Sequence, residues 1–169
     1  MSIKTEKIWL DGELIRWEDA KVHVLSHALH YGTAYFEGIR CYHLADGRSA
    51  VFRLPEHTRR LADSGKILGF PLPYSEEQLN QATIEVIRAN KLKECYIRPL
   101  AFVGLGELGL YAPNNPVSVC IAVWPWGAYL GAEELVEQWN LSPLVGRRVA
   151  HLSGGWRKFL GIALFANRK

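Results

Sequence analysis

Three segments of this sequence set residues that can hold anions beside residues that can line an apolar pocket. His30 to Arg40 reads HYGTAYFEGIR, Tyr96 to Leu100 reads YIRPL, and Trp124 to Gly131 reads WPWGAYLG. Arg98 stands between Ile97 and Pro99 in a run with strand character, and Arg40 has a similar setting. A guanidinium there needs a carboxylate or phosphate, which its planar fork binds through two hydrogen bonds. The competing reading is a structural ion pair at a sheet edge, and residue type leaves both open. Arg59 and Arg60 fall on a predicted helix, where a solvated face is the ordinary place for arginine.

The aromatic residues Tyr31, Tyr35, Phe36, Tyr96, Trp124, Trp126 and Tyr129 gather near glycines, strand ends and loops. Such rings line pockets for aliphatic groups, but they also pack ordinary cores. Gly32 and Gly38 suit close backbone approach to a ligand and suit bulges equally. His23, His27 and His30 could share one helical face, yet no acidic or cysteine ligand accompanies them at fixed spacing. Polar hydrogen bonding is expected of them, not a metal site. GLGELG at 104–109 has the GxGxxG spacing and follows a strand, but it does not open the long helix that dinucleotide binding requires.

The elements that must carry these residues follow from pattern. Asp11-Gly12 inside IWLDGELI predicts a tight hairpin. Thr33 to Tyr42 reads as one strand, Asp46-Gly47 as a turn, and Ala50 to Arg53 as a second strand. Pro55 opens a helix on which Leu54, Leu61 and Leu68 recur every seven residues, with Ile67 beside the last; Gly69 ends it. Ser75 and Gln78 form a capping box ahead of the apolar stripe Leu79, Ala82, Val86 and Ile87. Two long strands follow, Glu94 to Val103 and Val117 to Trp124. Strands, two helices, then strands predict a small α+β domain with an antiparallel-rich sheet.

Composition sets the class. The 169 residues are 49% hydrophobic and 22% charged, as in an ordinary globular protein. A net charge of +3 without a dense basic block argues against nucleic acid. No apolar run approaches the roughly 20 residues of a membrane helix, and MSIKTEK lacks the apolar core of a signal peptide. Cys41, Cys95 and Cys120, an odd set in apolar contexts, read as reduced, buried thiols of a cytoplasmic protein.

The segments RWEDAKVHVLSHALHYGTAYFEGIRCY, YIRPL and WPWGAYLG closely resemble those of the branched-chain aminotransferases, pyridoxal-phosphate enzymes of fold type IV. The resemblance covers Ile8 to about Gln138 and implies the small N-terminal domain of that fold over 1–124, with 125–138 as interdomain loop and start of the large domain. It implies Arg60 as the residue that grips the cofactor phosphate. Phe36, Gly38, Arg40, Tyr96, Trp126 and Tyr129 fall around the substrate, and Tyr31 reaches into a partner subunit's site in a homo-oligomer. Arg98 receives the distal carboxylate of glutamate or 2-oxoglutarate, while leucine, isoleucine or valine occupies the same pocket in the other half-reaction. The D-amino acid aminotransferases and aminodeoxychorismate lyases share this architecture and form the second reading.

Beyond Gln138 the resemblance stops. Transamination needs a lysine that forms a Schiff base with the cofactor and shuttles the proton. The family carries it in a lysine–small–Gly/Ser–Gly–Asn–Tyr type segment. The tail 139–169 lacks that segment; Lys158 is flanked by Trp156, Arg157 and Phe159 and does not match it. Read one base later, Trp139-Asn140 (TGG-AAT before CTN) becomes Gly-Ile, the family's usual continuation. The tail is therefore expected to be a frame-shifted or truncated large domain, and this chain catalytically incomplete. A non-catalytic N-terminal fragment or assembly module is the reading from another class.

Overall fold

The computed structural model describes residues 4–125. Period-2 alternation of apolar residues drives the strands: β1 (Lys7–Leu10), β2 (Glu13–Arg16), β3 (Ala34–Phe36), β4 (Ile39–His43), β5 (Ser49–Val51), β6 (Cys95–Val103) and β7 (Val117–Trp124). They form one antiparallel sheet in the order β2-β1-β7-β6-β4-β5, with β3 also paired to β6. A 3-10 turn (Trp17–Asp19) and helices α1 (His27–Tyr31), α2 (Leu54–Leu68) and α3 (Glu76–Ala89) complete the described fold. The α+β class and the two long helices are as the pattern predicts.

One face of the sheet meets α2 and α3. Ile39, Cys41, Cys95, Ile97, Ala101, Val119, Ile121 and Val123 bury there against Leu61, Leu79, Ala82 and Val86. Ser75 accepts a hydrogen bond from the Gln78 amide while the Gln78 side chain accepts one from the Ser75 amide, so the capping box forms. Gly69 closes α2 in the left-handed conformation (φ 81°). Asp11 and Gly12 make the expected hairpin turn, both at positive φ.

Four local expectations change. Thr33 to Tyr42 is not one strand: Glu37 and Gly38 interrupt it where Pro99, opposite Glu37 in a register continuous from β3 to β4, has no N–H to donate, although the Glu37 amide still bonds the Pro99 carbonyl. The strand expected over Ala50 to Arg53 runs Ser49–Val51 instead, since Arg53 turns left-handed (φ 48°) before α2. The α2 stripe stops early, with Leu54 and Leu61 buried but Ile67 84% exposed and Leu68 exposed. Finally, β6 lies inside the sheet between β7 and β3/β4, so Arg98 is not at a sheet edge. Among the described residues, no helix is long and apolar enough to cross a membrane.

Candidate functional site

Because side chains alternate along a strand, residues one position away from the core row point to the opposite face. Arg40 on β4, Tyr96 on β6 and Trp124 on β7 are register partners and form a row across that face. Arg98 opposite Ala122 starts the next row, and Phe36 opposite Leu100 and Cys120 the one after. The sheet thus gathers Phe36, Arg40, Tyr96 and Arg98, which the sequence names from two separate segments.

Arg98 is the centre of this group. Its guanidinium carbon lies 4.4 Å from the Phe36 ring centroid and 5.3 Å from that of Tyr96, within cation–π range. Nη2 donates to Tyr96 Oη at 2.9 Å, while Nε is shielded from solvent with no hydrogen-bond partner among the described residues. A buried N–H without an acceptor is costly, so an anion reaching Arg98 would gain a preformed, partly desolvated donor. The Tyr96 ring leans on Trp124 with centroids 4.9 Å apart. Arg40 sits over Tyr42, 5.0 Å from its centroid.

Gly38 takes part by having no side chain. A Cβ built there would collide with Tyr96 Oη, so glycine lets the phenol reach the strand break. The neighbouring Glu37 turns the other way, to the side of Tyr35 and Ile39, and its side chain is only 7% exposed. Arg60, from α2, donates from Nε to Glu37 Oε1 at 2.5 Å and from Nη2 to Oε2 at 2.5 Å. His57 Nδ1 lies 3.0 Å from the same Oε2. Burial works against ionising Glu37, but the hydrogen bonds and charge of Arg60 and His57 outweigh it and hold the carboxyl below its ordinary range. Arg60 Nη1 makes no hydrogen bond among the described residues, and the side chain is 66% exposed. That free edge suits a phosphate oxygen. Arg59, its neighbour, only meets Glu76 at 3.6 Å.

Tyr31 lies elsewhere, at the end of α1, with its ring against His27 and His30. The histidines do not share one helical face, since α1 begins only at His27. His27 is buried, 2.9 Å from Thr33 Oγ1 and 2.7 Å from the Gly109 carbonyl oxygen. His30 Nε2 reaches the Val24 carbonyl, and His23 accepts from the Leu25 amide. Burial pushes the thiol of Cys95 up to about 12 and that of Cys120 up to about 11, so neither is a thiolate near neutrality. Trp126, Tyr129 and Lys158 lie outside the described residues.

Sequence reasoning passed over Glu37 and His57. A signal was present for the first: alternation puts position 37 on the core side with Tyr35 and Ile39, where a carboxylate needs a cationic partner.

The family profile described as amino-transferase class IV matches residues 34–149, which include the strand break, Arg60 and both long strands. The chain belongs to the class IV aminotransferases. That match runs past Gln138. The branched-chain-amino-acid aminotransferase of Salmonella typhimurium is 53% identical over 145 residues, covering 81% of this chain and 47% of that protein. Its counterpart from Pseudomonas aeruginosa is 50% identical over 128 residues, covering 76% and 41%. This chain therefore spans about half the length of the curated relatives it matches.

Solved class IV structures agree. The Escherichia coli branched-chain amino acid aminotransferase superposes with a TM-score of 0.73 at 55% identity, covering 77% of this chain and 43% of that one. The Thermoproteus uzoniensis branched-chain aminotransferase, solved with norvaline, gives 0.71 at 44% identity, covering 76% and 43%. The fold is that of the N-terminal domain of these fold type IV enzymes.

Proposed function

We propose that this chain is the pocket-bearing part of a branched-chain amino acid aminotransferase. The reaction moves the amino group of leucine, isoleucine or valine onto 2-oxoglutarate, giving a branched 2-oxo acid and glutamate. One observation carries the reading: Arg98 is stacked on Phe36 and tied to Tyr96, with its Nε sheltered and unpartnered among the described residues. In one half-reaction the distal carboxylate of glutamate or 2-oxoglutarate takes that donor set through charge-assisted hydrogen bonds. In the other, an aliphatic side chain rests on Phe36 and Tyr96, with Trp126 and Tyr129 assigned to complete the box and Arg40 its polar rim. The Tyr96 phenol accepts from Arg98 in both, which fixes the plane of the guanidinium.

Pyridoxal 5'-phosphate is the cofactor this reading requires. Its phosphate end fits the free edge of Arg60, and when bound it supplies the electron sink for the nitrogen transfer. Strands β3, β4, β6 and β7 carry no lysine, and the lysine that holds the cofactor and moves the proton is assigned to the large domain that the resemblance implies. The flanks of Lys158 do not suit that role. We assign 1–124 as the small domain, 125–138 as the interdomain loop and start of the large one, and 139–169 as its truncated or frame-shifted continuation, the profile match reaching residue 149. Sequencing the gene around codons 136–142 tests this last point: an uninterrupted family-like frame one base away supports it, and a frame that resembles nothing overturns it.

A cytoplasmic homo-oligomer, with Tyr31 reaching a partner's site, belongs to the same reading. Exposed apolar residues on α1 and on the segments that His27 and His30 tie to it, among them Val24, Leu29, Leu110 and Tyr111, favour a surface made for a second copy. They also favour the second reading, a non-catalytic assembly module. Half-reaction kinetics separate the two. With the segment joined to a normal C-terminal domain, Arg98→Ala is expected to spare the leucine half-reaction and to raise the KM for glutamate at least tenfold. Equal losses for both substrates would sink the carboxylate role of Arg98.

A further inference from the structure

Glu37 and Gly38 form a two-residue break between strands, and each half of it serves a different part of the site. Gly38 makes room for the Tyr96 phenol, while the Glu37 side chain crosses to α2 and takes the Nε/Nη2 edge of Arg60 in a two-point grip. We propose that Glu37 is a positioning residue that clamps one edge of the Arg60 guanidinium so that the opposite edge is presented to the phosphate of the cofactor. This inference rests on the assignment of Arg60 to that phosphate.

The asymmetry of burial supports it. Glu37 is 7% exposed and Arg60 is 66% exposed. An ion pair whose arginine stays mostly in solvent contributes little to stability, so a fastening role alone is a weak reason for burying a carboxylate. Direction is a better one. A free arginine side chain has several rotatable bonds and samples many orientations; two parallel hydrogen bonds to a fixed carboxylate remove most of that freedom before any ligand arrives. Nε and one Nη2 hydrogen are then used and Nη2 also lies 3.2 Å from His57 Nδ1, which leaves Nη1, with no hydrogen bond among the described residues, for an oxyanion. His57 limits movement of the carboxylate itself through Oε2. The clamp also has a cost, since the carboxylate neutralises part of the charge on Arg60. Positioning and neutralisation predict opposite signs for the loss of Glu37.

The test uses the 169-residue chain. The proton–nitrogen resonance of Arg60 Nε is identified by its disappearance in Arg60→Lys, then followed during titration with pyridoxal 5'-phosphate, inorganic phosphate and phosphate-free pyridoxal. In the parent chain this Nε–H is expected to exchange slowly with water and to shift with both phosphate probes but not with pyridoxal. Glu37→Gln is expected to exchange faster and to bind both phosphate probes about tenfold more weakly. Unchanged or tighter binding in Glu37→Gln would overturn the clamp while leaving Arg60 as the phosphate ligand. A parent chain whose Arg60 ignores both phosphate probes would overturn the phosphate assignment and the clamp with it, and that result is visible before any Glu37 variant is made. If Glu37→Gln loses its cooperative melt, Arg60→Lys decides, read from the amide resonances of its neighbours. It keeps the charge without the fork, so phosphate binding equal to the parent's would overturn the clamp.

Discussion

Gly38 and Tyr96 compete for one small volume: the tyrosine hydroxyl occupies the position that a Cβ on residue 38 would need. The same hydroxyl accepts the Arg98 Nη2 hydrogen bond, so the missing side chain at 38 governs where an arginine two residues along β6 is held.

Gly38→Ala is therefore expected to lower stability by about 1–3 kcal/mol, the usual cost of forcing a methyl group into filled space. Tyr96→Phe should restore most of it, because the next ring atom would stand 3.2 Å from the new methyl and needs to yield only slightly. Melting curves of the two single variants and the double variant form the cycle. A double variant as unstable as the sum of the singles would show that the methyl meets something other than the hydroxyl.

Gly65 poses a similar problem inside a helix, with a different outcome. Alanine is favoured over glycine in a helix interior by up to about 1 kcal/mol, so Gly65→Ala on α2 looks stabilising from propensity. Its methyl would however collide with Tyr35 Oη, with Tyr35 Cζ at 2.8 Å and the Phe70 carbonyl at 3.1 Å. Net destabilisation of about 1–2 kcal/mol is expected. Tyr35→Phe should rescue it only in part, because the ring carbon and the backbone oxygen remain too close, and it also deletes the hydrogen bond from Tyr35 to Phe70.

The contrast between these sites shows what was legible in the sequence. The long strands, the capping box at Ser75 and the stop at Gly69 depend on neighbours in the chain, and pattern reads them. The break at Glu37-Gly38 does not, since aromatic and β-branched residues continue on both sides and it takes the pairing with β6 to set Pro99, which has no N–H, opposite Glu37. Ile67 and Leu68 extend the helical stripe in sequence, yet Ile67 lies off the buried face that carries Leu54, Thr58, Leu61 and Gly65, and Leu68 ends the helix exposed. Arg98 was found for its odd setting, but its central place required the strand order. Arg60 stood out only through family resemblance, because its partner Glu37 is 23 residues away. No local pattern announces such a pair.

The thiols probe both faces of the sheet, Cys41 and Cys95 in the core and the half-buried Cys120 on the face that carries Phe36. Cys95 and Cys120 are held protonated, at about 12 and about 11, and Cys41 is raised by burial as well. At pH 8 the thiolate fraction of Cys120 is on the order of one in a thousand, so alkylation by iodoacetamide should be negligible for hours and become rapid for all three in denaturant. Mass spectrometry after timed quenching measures it. Rapid labelling of Cys95 in the native protein would contradict its place beside Cys41 in the buried core.

Acid should weaken the Glu37 clamp in a defined window. Burial alone would raise the Glu37 pKa, but the hydrogen bonds and charges of Arg60 and His57 pull it below the ordinary value of 4.5. A carboxyl with a depressed folded-state pKa binds fewer protons folded than unfolded, so its stabilisation is fully present above 4.5 and is lost as pH falls through the folded value. Glu37→Gln has no such term. Several exposed carboxylates, among them Asp19, Asp46 and Glu56, are depressed as well and will tilt both curves alike. The useful quantity is therefore the difference between parent and variant, from urea titrations at pH steps between 7 and 3. It should be flat above pH 5 and shrink steadily below 4.5 in favour of the variant. A difference that stays constant down to pH 3 would mean that Glu37 is not held ionised by Arg60 and His57.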